Sequence, residues 1–176
     1  MAAQKRILLH SCCAPCASAC LERLTEAGYE VTLLFSNSNI FPLREYQDRL
    51  ASMRELARSF HVILHIDPWD HASWLNFIAG LENEPEKGRR CLKCFEFNFK
   101  RAYLKAKSLN IGAFTSTLSI SPHKPSPSIF AVGSNFPGFE AMDFKKKNGF
   151  QRSLELSREY SLYRQGYCGC EFSIRP

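Results

Sequence analysis

Seven of the eight cysteines in this chain fall into three short groups: Cys12, Cys13 and Cys16, then Cys91 and Cys94, then Cys168 and Cys170. Clustered thiols bind metals, exchange disulfides or do both, and they act as thiolates. Cys13-Ala-Pro-Cys16 is a C-x-x-C of the thioredoxin-like redox type, but Cys12 and two further cysteine pairs are surplus to such a site. Two C-x-x-C pairs also suit a structural zinc, yet here they are far apart, and three ligand-type cysteines would be left over. Four thiolates hold one iron–sulfur cluster, so seven leave three for something beside it. In Cys168-Gly169-Cys170 the one-residue spacer allows two sulfurs to grip one metal, with Gly169 permitting the bend, or to form a strained, easily reduced disulfide. Cys20 reads as the bystander.

A folded core must bring these distant groups together, and the composition provides one. The 176 residues are 45% hydrophobic, 12% aromatic and 23% charged. That fits a single α/β domain over residues 1–176 and excludes a disordered or collagen-like chain. No apolar run nears the ~20 residues of a membrane-spanning helix. The run after Lys5 and Arg6 stops at His10, too short for a secretory signal. A cytoplasmic protein is expected, in a compartment where persistent disulfides are rare. The formal charge is +6, and residues 87–107 carry eight basic side chains against Glu96 alone. This basic stretch reads either as a solvated face that offsets the thiolates or as a footprint for a polyanion such as nucleic acid.

Hydrophobic patterning predicts strands at 6–10, 31–35, 61–66 and 113–118, with a weak strand at 140–144. Helices are predicted at 17–27, stopped by Gly28, and at 43–60, where Tyr46, Leu50, Met53, Leu56 and Phe60 recur at helical spacing. Further helices are expected at 71–81, 91–109 and 153–160, and a short one near Ile129 in a loop rich in Ser and Pro. Apolar strands alternating with helices imply a parallel sheet with helices on both faces. Ligands of such sheets bind beyond the carboxyl ends of the strands, where Cys12, Cys13 and residues 115–121 are expected. Where a nucleotide-binding fold would place a glycine-rich phosphate loop, residues 12–16 stand instead, which demotes nucleotide-dependent chemistry. His10 reads as a hydrogen-bonded core histidine. Asn37, Asn39, Thr115, Thr117 and Lys124 read either as turn formers or as residues that hold a ligand.

Several stretches together resemble one family. They are His10-Ser-Cys-Cys-Ala-Pro-Cys16, Phe35-Ser-Asn-Ser-Asn-Ile40, Glu45-Tyr46, Arg90-Cys-Leu-Lys-Cys-Phe95, Thr117-Leu-Ser-Ile-Ser-Pro-His-Lys124, Asp143-Phe-Lys-Lys146 and Tyr163-Arg-Gln-Gly-Tyr-Cys-Gly-Cys170. In this order the chain resembles the QueH family of epoxyqueuosine reductases over about residues 6–173. The resemblance implies an oxidoreductase that reduces the epoxide of epoxyqueuosine to the cyclopentene at the wobble position of a tRNA with a queuosine-type anticodon, fed by an external low-potential electron donor. It also implies a Rossmann-like parallel sheet similar to that of the ATP-pyrophosphatase-type tRNA-modifying enzymes. The implied cofactors are a [4Fe–4S] cluster on Cys12, Cys13, Cys91 and Cys94, and an adjacent mononuclear metal, iron or zinc, served by Cys16, Cys168 and Cys170. Cys168 and Cys170 are the implied catalytic pair, as metal ligands or as a redox disulfide, and a partition with Cys170 on the cluster stays open. Two other classes compete: an ATP-dependent tRNA-thiolation enzyme of the same fold, which would bind ATP, and a non-catalytic zinc-bound RNA-binding module, which would be colourless.

Overall fold

The computed structural model describes residues 5–174. Its strands are β1 (Lys5–His10), β2 (Tyr29–Phe35), β3 (Ile63–Ile66) and β4 (Phe114–Ser116). The helices are α1 (Ala14–Glu26), α2 (Leu43–Ser59), α3 (His71–Phe77), α4 (Arg89–Ser108), α5 (Ser126–Gly133) and α6 (Gly149–Glu159), with 3-10 turns at Thr117–Ile120 and Glu171–Ser173. The strands make one parallel sheet in the order β3-β2-β1-β4. β1 therefore lies inside, paired with β2 at His10↔Leu34 and with β4 at His10↔Ser116.

Alternation along the strands divides the core. Ile7, Leu9, Val31, Leu33 and Phe35 pack with Leu21 and Leu24 of α1, Met53 and Leu56 of α2 and Leu156 of α6. Leu8, Leu34 and Phe114 face the other way, onto Phe95, Phe99 and Ala102 of α4 and Ile129 of α5. Both faces are covered, which explains why these strands read as apolar runs. His10 sits in this core with both ring nitrogens engaged, Nδ1 with Ser116 Oγ at 2.9 Å and Nε2 with the Ser36 carbonyl at 3.2 Å. Burial lowers its pKa, so the ring stays neutral, as expected of a core histidine.

Some boundaries differ from the sequence expectations. α1 opens at Ala14, because Pro15 fits a helix's first turn. α3 ends at Phe77, followed by a turn with Gly80 at φ 84°. α6 begins at Gly149, earlier than expected. β4 stops at Ser116, whose Oγ accepts from the Leu118 amide and turns the chain into a 3-10 helix. The segment expected as a strand at 140–144 forms none. It runs beside β4 with a single bridge, Phe114↔Phe139. Its backbone is then taken up by side chains, with Thr115 Oγ1 donating to the Glu140 carbonyl at 2.8 Å and Ser119 Oγ to the Met142 carbonyl at 2.6 Å.

α6 docks on α1 through Leu156 and a forked Arg152–Glu22 pair, 2.7 Å at its shortest. Its first residue has no room for a side chain, since a Cβ on Gly149 would overlap the Phe144 carbonyl oxygen. Gly149→Ala should destabilise the protein by about 1–3 kcal/mol, the usual range for overpacking. Chemical denaturation read by circular dichroism checks this, with a lower midpoint expected at unchanged slope.

Candidate metal centre

Parallel strands end at one edge, and the turn after β1 carries the first cysteine group there. Cys13 caps α1, its carbonyl accepting from the Ala17 amide, and Cys16 follows within the first turn. The sulfurs of Cys12, Cys13 and Cys16 all lie within 4.8 Å of one another, with Cys12 and Cys13 at 3.8 Å. The turn after β4 meets them: Thr117 Oγ1 accepts from the Cys12 amide at 3.3 Å and lies 3.5 Å from its sulfur. Tetrahedral thiolate ligands at ~2.3 Å from one ion stand about 3.8 Å apart, so this trio has the reach of a single metal ion.

The second group rides on the start of α4. Cys91 Sγ accepts from the Lys87 amide at 3.3 Å, and Cys94 Sγ lies 3.8 Å from Asn98 Nδ2. The third group arrives on a C-terminal strap anchored to α2. Arg49, 1% exposed, forks onto the carbonyls of Cys168 (3.0 Å) and Tyr167 (3.1 Å) while its Nε holds Glu45 at 2.7 Å. Glu45 in turn accepts from Tyr163 Oη at 2.7 Å. The loop after β2 closes the clamp, its Phe41 amide donating to the Gly169 carbonyl at 2.8 Å. Gly169 has φ 142°, and a Cβ there would crowd Ile40, Arg49 and Asn39. Cys168 is left exposed and Cys170 buried, and both are free thiols.

Two cavities meet at this strap. A small one of about 70 Å³ is lined by Trp74, Arg90, Cys91, Cys94, Cys168 and Cys170. A wider one of about 570 Å³ is lined by Cys12, Cys16, Cys168, Lys87, Arg164 and Gln165 among others. Cys168 and Lys124 line both. Cysteines from three parts of the chain thus line these two adjoining cavities, and among the described residues only Cys12, Cys13 and Cys16 form a group with single-ion reach. Cys20 does not join them; it lies on the core-facing side of α1, fully buried.

Electrostatics fits an anionic site. Hydrogen bonds from Cys13 and Cys16 hold the Cys12 thiol well below its ordinary range, while its partner Cys13 is pushed up to about 12 and Cys16 upward as well. The protons are thus held unequally within the trio, most loosely at Cys12, and a bound metal would draw them out. Burial raises the thiols of Cys91, Cys94 and Cys170. Burial also works against the charge of Lys124, but the sulfurs of Cys168, Cys12, Cys16 and Cys13 outweigh it and hold the ammonium protonated. The buried Arg90 reaches the Glu82 and Glu84 carbonyls and the Phe172 ring, and it lies within electrostatic range of the Glu84 carboxylate and of Cys91 and Cys170. Buried cations need a counter-charge, and thiolates beside Lys124 and Arg90 can share that role.

Other expectations resolve locally. Asn37 Nδ2 donates to the Ser11 carbonyl at 2.9 Å, so Asn37 and Thr115 serve the turns, while Thr117 and Lys124 face the cysteines. The basic stretch is partly consumed inside the protein: Arg101 and Lys105 pair with Asp67, Lys93 with Glu96 and Arg89 with Glu84. Sequence reasoning missed the Arg49 clamp, although Glu45 and Arg49 stand one helical turn apart, a readable i,i+4 pair. It also missed buried Arg90, Trp74 and Asn98, which carry no signal outside the fold. Arg49→Lys keeps the charge but loses the fork onto the Cys168 and Tyr167 carbonyls. The variant should fold, yet Cys168 should react several-fold faster with iodoacetamide, measured by mass spectrometry.

Comparison with known proteins agrees with this geometry. The profile of the family described as epoxyqueuosine reductase QueH matches residues 7–176. The epoxyqueuosine reductase QueH of Streptococcus pyogenes serotype M1 is 38% identical over 96% of this chain and 70% of its own length. That of Acinetobacter baylyi is 39% identical over 97% of this chain and 81% of its own, and that of Thermotoga maritima 29% identical over 96% and 90%. With its three cysteine groups gathered at one edge of an α/β sheet, the chain belongs to the epoxyqueuosine reductase QueH family of oxidoreductases.

Proposed function

We propose that this protein reduces the epoxide of epoxyqueuosine in tRNA to the cyclopentene, using metals bound by its seven clustered cysteines. The observation that carries the reading is that cysteines of all three groups line two adjoining cavities together with Lys124 and Arg90. Removing the oxygen takes two electrons and two protons and releases water. Cys12, Cys13, Cys91 and Cys94 would hold a four-iron cluster and Cys16, Cys168 and Cys170 an adjacent metal ion, which when bound would supply single-electron transfer and Lewis acidity respectively. The 4.8 Å trio favours a second partition, with Cys12, Cys13 and Cys16 on the ion and Cys91, Cys94, Cys168 and Cys170 around the cluster. Cys91 and Cys94 serve the cluster in both.

The chain's own groups then bind and orient the nucleoside. The wider cavity, about 570 Å³, falls within the size range of ligand pockets and suits one nucleoside extruded from the anticodon loop. Lys87 and Arg164 on its wall are exposed and make no ion pair among the described residues, which fits them for the phosphates beside it. Lys124 Nζ lines both cavities and holds its proton firmly, so it serves as a charged hydrogen-bond donor to the epoxide oxygen, with the transferred protons drawn from water. The electron donor is an external low-potential protein or reagent. We further infer one domain, a cytoplasmic setting and kinship with ATP-pyrophosphatase-type tRNA-modifying folds, residues 12–16 replacing the phosphate loop. No helix of the described residues is long and apolar enough to cross a membrane.

Anaerobically isolated protein should be brown, with about four to five irons and about four inorganic sulfides per chain. Cys94→Ala should lose cluster and activity together, while Cys20→Ala keeps both. Cys170→Ser separates the partitions: loss of about one iron supports the first, loss of the whole cluster the second. Stoichiometric zinc without sulfide would sink the assignment. For the tRNA, Lys87→Glu with Arg164→Glu should flatten the salt dependence of binding by roughly 0.7–0.9 per lost phosphate contact. An unchanged slope in filter-binding or anisotropy assays would remove these two residues from the interface.

A further inference from the structure

The small cavity contains polar atoms that the reaction scheme leaves unused. Trp74 is fully buried, and its indole Nε1 has no completed hydrogen bond. Indole N–H groups normally find a partner when buried. Its ring is held in place: it stacks on His71 at 5.5 Å and lies 6.3 Å from Phe172. His71 is itself pinned between the Ser38 carbonyl at 2.8 Å and Glu171 Oε1 at 2.9 Å. Cys94 packs against the cluster that Trp74 anchors and lines the same small cavity, which makes its sulfur the candidate acceptor for the indole N–H.

Asn98 approaches the same sulfur from the next turn of α4. Its Nδ2 lies 3.8 Å from Cys94 Sγ and 3.3 Å from Asn39 Oδ1, while its Oδ1 is buried without a partner. Turning the amide over would set its oxygen against the Asn39 oxygen and the sulfur, so the nitrogen is the atom that faces them. One sulfur thus takes a hydrogen bond from Asn98 Nδ2 and has the unpartnered indole N–H of a second helix packed in the same cluster.

We propose that Trp74 and Asn98 tune the reduction potential of the centre by donating N–H···S hydrogen bonds to Cys94. The inference rests on the reading of Cys94 as a cluster ligand. Such donors withdraw charge from a ligating thiolate and stabilise the reduced, more negative state, so they raise the potential. A centre charged by an external donor and discharged one electron at a time needs its potential set between donor and substrate. Neither residue touches the substrate; both act through Cys94.

Trp74→Phe and Asn98→Leu remove the donors at nearly conserved volume. Each holoprotein, isolated anaerobically, should keep its iron and sulfide content, and its midpoint in an EPR-monitored redox titration should move to more negative potential, furthest in the double variant. In unsubstituted protein labelled with indole-¹⁵N tryptophan, pulsed EPR of the reduced centre should detect a weakly coupled nitrogen that Trp74→Phe abolishes. This arm stands even if a variant folds poorly. Midpoints unchanged or shifted positive, or no nitrogen coupling, overturn the inference. Cys94→Ala separates the two levels: a full cluster in that variant defeats the ligand assignment, whereas its loss alongside wild-type midpoints in the donor variants defeats the tuning alone.

Discussion

Crowded sulfurs repel one another once ionised, and much of the carboxyl edge of the sheet is arranged around that repulsion. Three of them lie within 4.8 Å, a spacing at which the Cys12 thiol is lowered at the expense of Cys13 and Cys16, both raised. Positive charge is what permits more. Lys124 stands beside Cys12, Cys13, Cys16 and Cys168, and Arg90 beside Cys91 and Cys170. Arg90 also has the Glu82 and Glu84 carbonyls and the Phe172 ring against it. Anionic sulfurs would offset the desolvation of both cations further, and thiolate is the state that binds metal. Charge and ligand set therefore support one another.

Arg49 has a different task. Its charge is already satisfied by Glu45, so its two remaining nitrogens work as a mechanical clamp on the Tyr167 and Cys168 carbonyls. Those carbonyls lie more than a hundred residues from Arg49 in sequence. The clamp needs the tail to turn tightly, and Gly169 supplies the turn where any side chain would meet Asn39 or Arg49. The result is a strap that leaves Cys168 between two cavities of unlike character. The smaller is walled by aromatic and buried groups, the wider by exposed Lys87 and Arg164 with partly buried Gln165. Under the proposed reading the first shelters electron transfer from water and the second admits a nucleoside with its phosphates outside.

The sheet makes this arrangement rigid. β1 is interior, hydrogen-bonded on both sides and covered on both faces, and the first cysteine group follows it directly. Thr117, on the turn after β4, ties the Cys12 amide to the neighbouring strand. Four short strands and their helices are enough, because the cysteines need only be held at strand and helix ends, where parallel topology already gathers such groups.

Much of this was legible in the chain itself. The alternation of apolar runs with helical periodicity determined an α/β fold with a covered parallel sheet, since those patterns are local and reflect which side each residue buries. The cysteine spacings determined a metal or redox site, because thiols that recur at one to three residues share a turn in any fold. The weak strand at 140–144 misled, since its residues satisfy their backbone through Thr115 and Ser119 rather than a ladder. Tertiary structure alone decided which sulfurs are neighbours, that half of the basic stretch is paired internally, and that Arg90, Lys124, Trp74 and Asn98 face the cysteines. The physical reason is range: periodicity records each residue's own burial, whereas contacts between residues a hundred positions apart are set by the packing of whole elements.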